Sequence, residues 1–149
     1  MISIEQIKEF HQKTGFSIME CKKALEEAQG DQKKAEQILT KKGAEKALKK
    51  SDREAKQGLV ESYIHSNGKI GVILELSCET DFVARNEEFK TLAHDLAMHI
   101  VALNPKDKKE LLDQPFIKDE SKKVADLINE IVGKLGENIK IGKFARLAI

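Results

Sequence analysis

Asn67-Gly68 stands between two runs rich in β-branched and aromatic residues, 59–65 and 70–78. Asn-Gly is the strongest short hairpin signal, because both positions of a two-residue turn call for positive φ. An antiparallel pair of strands is therefore predicted in the middle of the chain. That pairing excludes an all-helical bundle and disfavours a parallel βαβ design, which needs a long crossover where this chain has two residues.

The segments on both sides have helical period. Ser3 is followed three residues later by Gln6, and Ser17 by Glu20, and each pair is a capping box that satisfies the unpaired amides of a first helical turn. Gly15, Gly30 and Gly43 fall where the apolar periodicity fails, at positions suited to a left-handed C-terminal cap. Helices are predicted over 4–13, 18–28 and 32–42, with Ile7, Phe10, Cys21, Ala24, Leu25, Ala35 and Leu39 among the apolar stripe. Residues 1–43 thus form a small three-helix module. Residues 44–56, with lysines and an arginine around few apolar positions, form a basic, solvated helical linker.

Past the hairpin, Asn86 caps a helix running through Leu103, with Phe89, Leu92, Ala93, Leu96, Ile100 and Leu103 on one stripe and Pro105 as its stop. A lysine-rich connector begins at Lys106. Asp119 or Ser121 then opens a helix in which Val124, Leu127, Ile128, Ile131, Val132 and Leu135 face inward, and Gly136 ends it. A last strand is expected over 138–149. Residues 57–149 are then a core of three antiparallel strands covered by helices on one face, and the class is α+β.

Twenty-six basic and 25 acidic residues leave a net charge of +1, so no global field draws the chain to nucleic acid or to an anionic membrane. Apolar runs stop far short of the roughly 20 residues of a membrane span. The first residues lack the basic start and long apolar stretch of a secretory signal, and a cytoplasmic address is expected. Cys21 and Cys78 lack CxxC spacing and read as buried structural thiols.

Enzyme chemistry finds little support. Neither a P-loop nor a GxGxxG is present, and Gly133-Lys134-Leu135-Gly136 is a helix end. His94 and His99 are five residues apart, not the four that align two ligands on a helix, and Asp95 with His99 reads as a surface pair. No cofactor or metal is expected. The stretch that breaks local rules is Cys78 to Asn86, where Phe82 and Val83 fall in a polar junction. Two readings stand: Phe82 staples the helix entry to the core, or it is an aromatic anchor held outward on a turn capped by Thr80 or Asp81.

The run Thr80-Asp81-Phe82-Val83-Ala84-Arg85-Asn86-Glu87-Glu88-Phe89 resembles the elongation factor Ts family, as do Thr14-Gly15 leading into Cys21-Lys22-Lys23-Ala24-Leu25, Ala97-Met98-His99-Ile100 and Gly136-Glu137-Asn138-Ile139. The resemblance implies a module like ubiquitin-associated domains, a linker, and a core that docks on the GTPase elongation factor Tu. It implies a non-enzymatic exchange factor that engages the GDP-bound and nucleotide-free GTPase and promotes GDP release. In the family the phenylalanine matched by Phe82 enters a pocket near the nucleotide, with the residue matched by Asp81 beside it. Thr80 and Val83 flank that wedge. Those matched by Ile18 and Met19 touch the GTPase domain, those matched by Leu135 and Gly136 lie close to the wedge, and His99 matches a histidine of a functional region.

The sequence departs from the family pattern at Phe16 and Ser17, where Ala and Gly are common, and at Ile18, which replaces a frequent Met. Only 106–113 joins the long helix to Gln114-Pro115-Phe116, where familiar members insert a longer segment, so only weak self-association is expected. Two other functions fit parts of the chain: a helical adaptor using the first 43 residues, and RNA binding through the lysines of 41–56. Core packing is the competing role for Ile18 and Met19.

Overall fold

The computed structural model describes residues 1–149. Helix α1 (Ile4–Thr14) and helix α2 (Ile18–Glu27) start at the two expected capping boxes, with Ser3 and Ser17 accepting from the amides of Gln6 and Glu20. Gly15 closes α1 with φ 74°. Phe10, Phe16, Cys21, Ala24, Leu25, Ala35 and Leu39 are buried together as the module's own core.

Helix α3 (Gln32–Lys50) does not stop at Gly43. The glycine serves a different purpose: it lies buried where α3 crosses helix α7 (Val124–Leu135). A Cβ placed on Gly43 would stand 3.2 Å from the Asn129 carbonyl oxygen, and one on Gly133 would stand 3.2 Å from the Gly43 Cα. Two facing glycines let the helix backbones approach closely, and this contact joins the module to the rest of the protein. Ala47, one turn further on, packs against the larger core. The expected linker is therefore helical through Lys50, and only the residues after it are extended or bent.

Strands β1 (Gln57–Ile64) and β2 (Ile70–Cys78) pair antiparallel, with Ile64 opposite Gly71. The connection is longer than a two-residue turn. The His65 carbonyl accepts from Gly68 N–H at 2.8 Å, and Gly68 but not Asn67 has positive φ. Asn67 instead accepts from Lys69 N–H through its side chain. Strand β5 (Lys140–Ala148) adds antiparallel to the other edge of β2, giving the order β1-β2-β5.

Along β2, Val72, Leu74, Leu76 and Cys78 alternate inward and are buried, as strand periodicity requires. They meet Phe89, Leu92, Ala93, Leu96, Ala97 and Ile100 of helix α5 (Glu87–Leu103) and Val124, Ile128, Ile131 and Val132 of α7. The observed class is the expected α+β, a three-stranded antiparallel sheet with helices on one face. The opposite face carries the exposed Val60, Ile64, Ile73 and Leu147.

Between α5 and α7 the chain forms helix α6 (Lys108–Asp113) and a short hairpin of β3 (Pro115–Phe116) and β4 (Asp119–Lys123). Here the expected helix start at Asp119 or Ser121 is corrected. Residues 119–123 are a strand, because they pair with Pro115 and Phe116, and α7 begins at Val124 with Lys123 as its N-cap residue. Its Asp126 accepts from the Lys123 amide, a local capping contact that the earlier, stronger-looking Asp and Ser obscured. No helix is long and apolar enough to cross a membrane.

Candidate partner-docking site

Between β2 and α5 the chain makes one helical turn, α4 (Asp81–Ala84), capped by Thr80. The Thr80 hydroxyl accepts from Val83 N–H at 3.3 Å. That cap aims Phe82 away from the core: the residue is 83% exposed, whereas Ala84 is buried and Val83 packs partly against the core. The staple reading of Phe82 is thereby overturned. Val83 and Ala84 anchor the turn, and the large aromatic is left in solvent.

Several groups hold the turn still. The Glu137 carboxylate accepts from the amides of Glu79 and Thr80 at 3.1 and 2.9 Å and from the Thr80 hydroxyl at 2.7 Å. The Cys78 thiol donates to the Thr80 carbonyl at 3.1 Å. Burial, reinforced by the nearby Glu137 carboxylate, pushes that thiol up to about 11, so it stays a donor at neutral pH. In return Glu79 accepts from Asn138 N–H at 2.8 Å and faces Arg53 at 3.6 Å. The buried Asn138 donates through its side-chain amide to the Arg53 carbonyl at 2.7 Å. Three chain segments, 51–53, 79–80 and 137–138, are thus knotted behind the exposed ring. On the solvent side Arg85 pairs with Asp81 at 2.6 Å and places its guanidinium 5.9 Å from the Phe82 ring centroid. Both side chains are mostly exposed, so the pair adds little stability.

Four of the other expected contact residues, Leu135, Gly136, Ile18 and Met19, fall in two groups. Leu135, half-buried, and Gly136, whose φ of 77° closes α7, immediately precede Glu137. The Gly136 carbonyl accepts from Lys50 Nζ at 2.8 Å. Ile18 and Met19, at the start of α2, are 54% and 62% exposed, so core packing does not account for them. They lie toward the same end of the molecule. A Cβ on Gly15, just before α2, would stand 3.2 Å from Lys134 Nζ and 3.6 Å from a Glu88 carboxylate oxygen. Glu88 belongs to the first turn of α5, directly after α4. Phe16, the residue that departs from the family pattern, is buried in the module and lies under the Lys134 ammonium at 5.1 Å from its ring centroid.

His99 is set apart. It lies twelve residues along α5 from Glu87, about 18 Å at 1.5 Å per residue. The expected surface pair with Asp95 is not formed: Asp95 pairs with Lys118 at 3.2 Å, and His99 is fully buried. Its Nδ1 accepts from Ile117 N–H at 3.2 Å, which leaves Nε2 to donate to the Gln114 side-chain oxygen at 2.9 Å. Burial lowers its pKa, with the Gln114 bond acting weakly the other way. In the free chain His99 fastens the β3 segment to α5 and presents nothing to a partner directly. Glu79, Arg85 and Glu137 stand in the sequence only as members of longer runs, with no role of their own assigned. Glu137 carries no local signal, because its partners lie 57 and 58 residues away.

An exposed aromatic on a pinned turn, with an exposed apolar pair on a second module, has the character of the anchors found at protein–protein interfaces. A family model described as elongation factor TS matches residues 79–149. Elongation factor Ts of Thermotoga maritima is 42% identical over 191 positions, covering 99% of this chain and 96% of the relative. The protein of that name from Thermodesulfovibrio yellowstonii is 45% identical over 192 positions, covering 99% and 96%. That from Oleidesulfovibrio alaskensis is 42% identical over 193 positions, covering 99% and 98%. The chain belongs to the elongation factor Ts family of translation elongation factors. Alignments of 191 positions against a chain of 149 residues mean that these relatives carry about 40 residues with no counterpart here.

Proposed function

We propose that this protein is a guanine-nucleotide exchange factor for elongation factor Tu. It binds the GDP form, inserts Phe82 beside the nucleotide with Asp81 next to it, disturbs the magnesium and phosphate contacts, and releases GDP so that GTP can rebind. The single observation that supports this best is Phe82 itself, 83% exposed on a turn tied by hydrogen bonds to the segment 137–138. A large apolar group held in water on a rigid support is available for burial by a partner at little ordering cost.

The factor performs no bond chemistry in this reading. It acts by linkage: a protein that binds the nucleotide-free GTPase more tightly than the GDP form weakens GDP by the same factor. A thousandfold loosening requires about 4 kcal/mol of coupling, and burial of one Phe supplies about 1.5–3 kcal/mol. Ile18, Met19, Leu135 and Gly136 supply further contacts, and the Gly43–Gly133 crossing fixes the module carrying the first pair relative to the turn. His99 contributes by holding the β3 segment in place. Neither nucleic acid nor membrane enters the mechanism.

Release of fluorescent GDP from purified elongation factor Tu, followed with and without this protein, tests the proposal. The rate should rise steeply with factor concentration and saturate. A release rate that does not change at micromolar factor refutes it.

A further inference from the structure

We propose that Glu137 is a positioning residue for exchange, holding the Phe82 turn in its outward attitude from 57 residues away in sequence. This inference rests on the role proposed for Phe82. Its basis is the distribution of hydrogen bonds around Thr80. Glu137 Oε1 accepts from both the Glu79 and Thr80 amides, and Oε2 accepts from the Thr80 hydroxyl. The same hydroxyl oxygen accepts from Val83 N–H. Because the hydroxyl proton is directed to Glu137, a lone pair is left facing Val83, and the carboxylate orients the cap that starts α4.

A short turn has no stability of its own. Asp81–Ala84 spans four residues, so its conformation depends on its ends. Its C-terminal end is held by the buried Ala84 and the start of α5, and the amide groups on its N-terminal side depend on Glu137. Glu137 in turn follows Gly136, whose left-handed backbone directs the chain out of α7. The buried Asn138 on its other side is fixed to the Arg53 carbonyl. The carboxylate is therefore presented from rigid backbone on both flanks. Charge-assisted bonds of this kind are about twice as strong as neutral ones. Without them Phe82 samples many directions, and the partner must pay to order the turn on binding.

Two changes, one conservative and one a truncation, grade the effect. Glu137→Gln keeps an oxygen for the two amides but turns an NH₂ toward Thr80, whereas Glu137→Ala removes every contact. Amide hydrogen exchange of the free protein reads the turn without any GTPase. In Glu137→Ala the amides of Glu79, Thr80 and Val83 should exchange at least tenfold faster, while those of β2 and α7 interiors stay protected. On GDP-loaded elongation factor Tu, Glu137→Ala should lower the acceleration of release about tenfold, and Glu137→Gln should recover part of it. In a Phe82→Ala background, Glu137→Ala should cause no further loss. Unchanged exchange at Glu79 and Thr80, or an equal loss of activity with and without Phe82, overturns the proposal. If Phe82→Ala alone leaves release unaffected, the reading of Phe82 fails, and the hydrogen-exchange result still decides whether Glu137 holds the turn.

Discussion

Replacing Phe82 by Ala separates a docking anchor from a packing residue, because the two roles predict opposite balances of stability and activity. Phe82 is 83% exposed and belongs to neither hydrophobic cluster. Full burial of a Phe is worth about 1.5–3 kcal/mol, so the remaining sixth of its surface contributes about 0.3–0.5 kcal/mol to folding. Its approach to Arg85 at 5.9 Å adds about 0.5–1 kcal/mol at an exposed site, and the better helix propensity of Ala recovers a few tenths. The net cost is about 1 kcal/mol at most, a fall in Tm of roughly 4 °C for a chain of this size. Exchange forfeits the full burial of the ring in the partner, and about 1.5–3 kcal/mol corresponds to a roughly ten- to hundredfold slower GDP release. Phe89, fully buried seven residues later, gives the contrast: Phe89→Ala should cost about 3–5 kcal/mol. Urea unfolding and fluorescent GDP release on the two variants provide both axes. A Phe82→Ala protein that unfolds as easily as Phe89→Ala, or one that releases GDP as fast as the parent, refutes the reasoning.

Other consequences follow from the packing. Gly43→Val should destabilise the protein by about 1–3 kcal/mol through overpacking, since even a first carbon stands 3.2 Å from the Asn129 carbonyl oxygen; limited proteolysis should show earlier cleavage near 51–56, and unchanged urea midpoints and cleavage count against the crossing as the joint. Burial lowers the pKa of His99 from its ordinary 6.5, so the unfolded chain binds more protons than the folded one just below that pH. Stability linked to His99 is present above pH 6.5 and is lost as pH falls through the folded pKa; the drop in urea midpoint from pH 7.5 to 5.5 should shrink in His99→Gln, and an undiminished drop assigns it to other groups. Cys78, buried with its thiol raised to about 11, should resist thiol reagents at pH 8 in the native protein and react promptly in urea, because the thiolate is the reactive form. Rapid native labelling of Cys78 contradicts the burial.

Much of this protein was determined by residues within a turn of one another. The Ser3 and Ser17 capping boxes, the Asn86 and Gly136 helix ends, the alternation along β2 and the stripe of α5 are all local, and each was legible because the residues that make the interaction are near neighbours in the chain. The position of the Phe82 segment, between a strand and a helix with Thr80 able to cap it, was legible for the same reason. Its direction was not. Local pattern allowed the ring to staple the helix or to face solvent, and burial of Val83 and Ala84 together with the bonds from Glu137 chose the second.

Glycine shows the limit most clearly. Gly15, Gly30 and Gly43 look alike in sequence, each at the end of an apolar stripe. Gly15 and Gly30 take positive φ, while Gly43 lies inside a helix that continues to Lys50. A glycine suits a left-handed cap and a close helix crossing equally well, and only the arrival of Gly133, 90 residues on, decides between them. His99 likewise has Asp95 within reach by helical spacing, which points to a surface pair. The hairpin of 115–123 covers it instead and supplies Ile117 N–H to its ring. Helix starts, strand alternation and turns are specified over a few residues. Which groups lie buried, which glycine marks a crossing and which carboxylate holds the turn depend on partners tens of residues away, and only the packed tertiary structure brings those together.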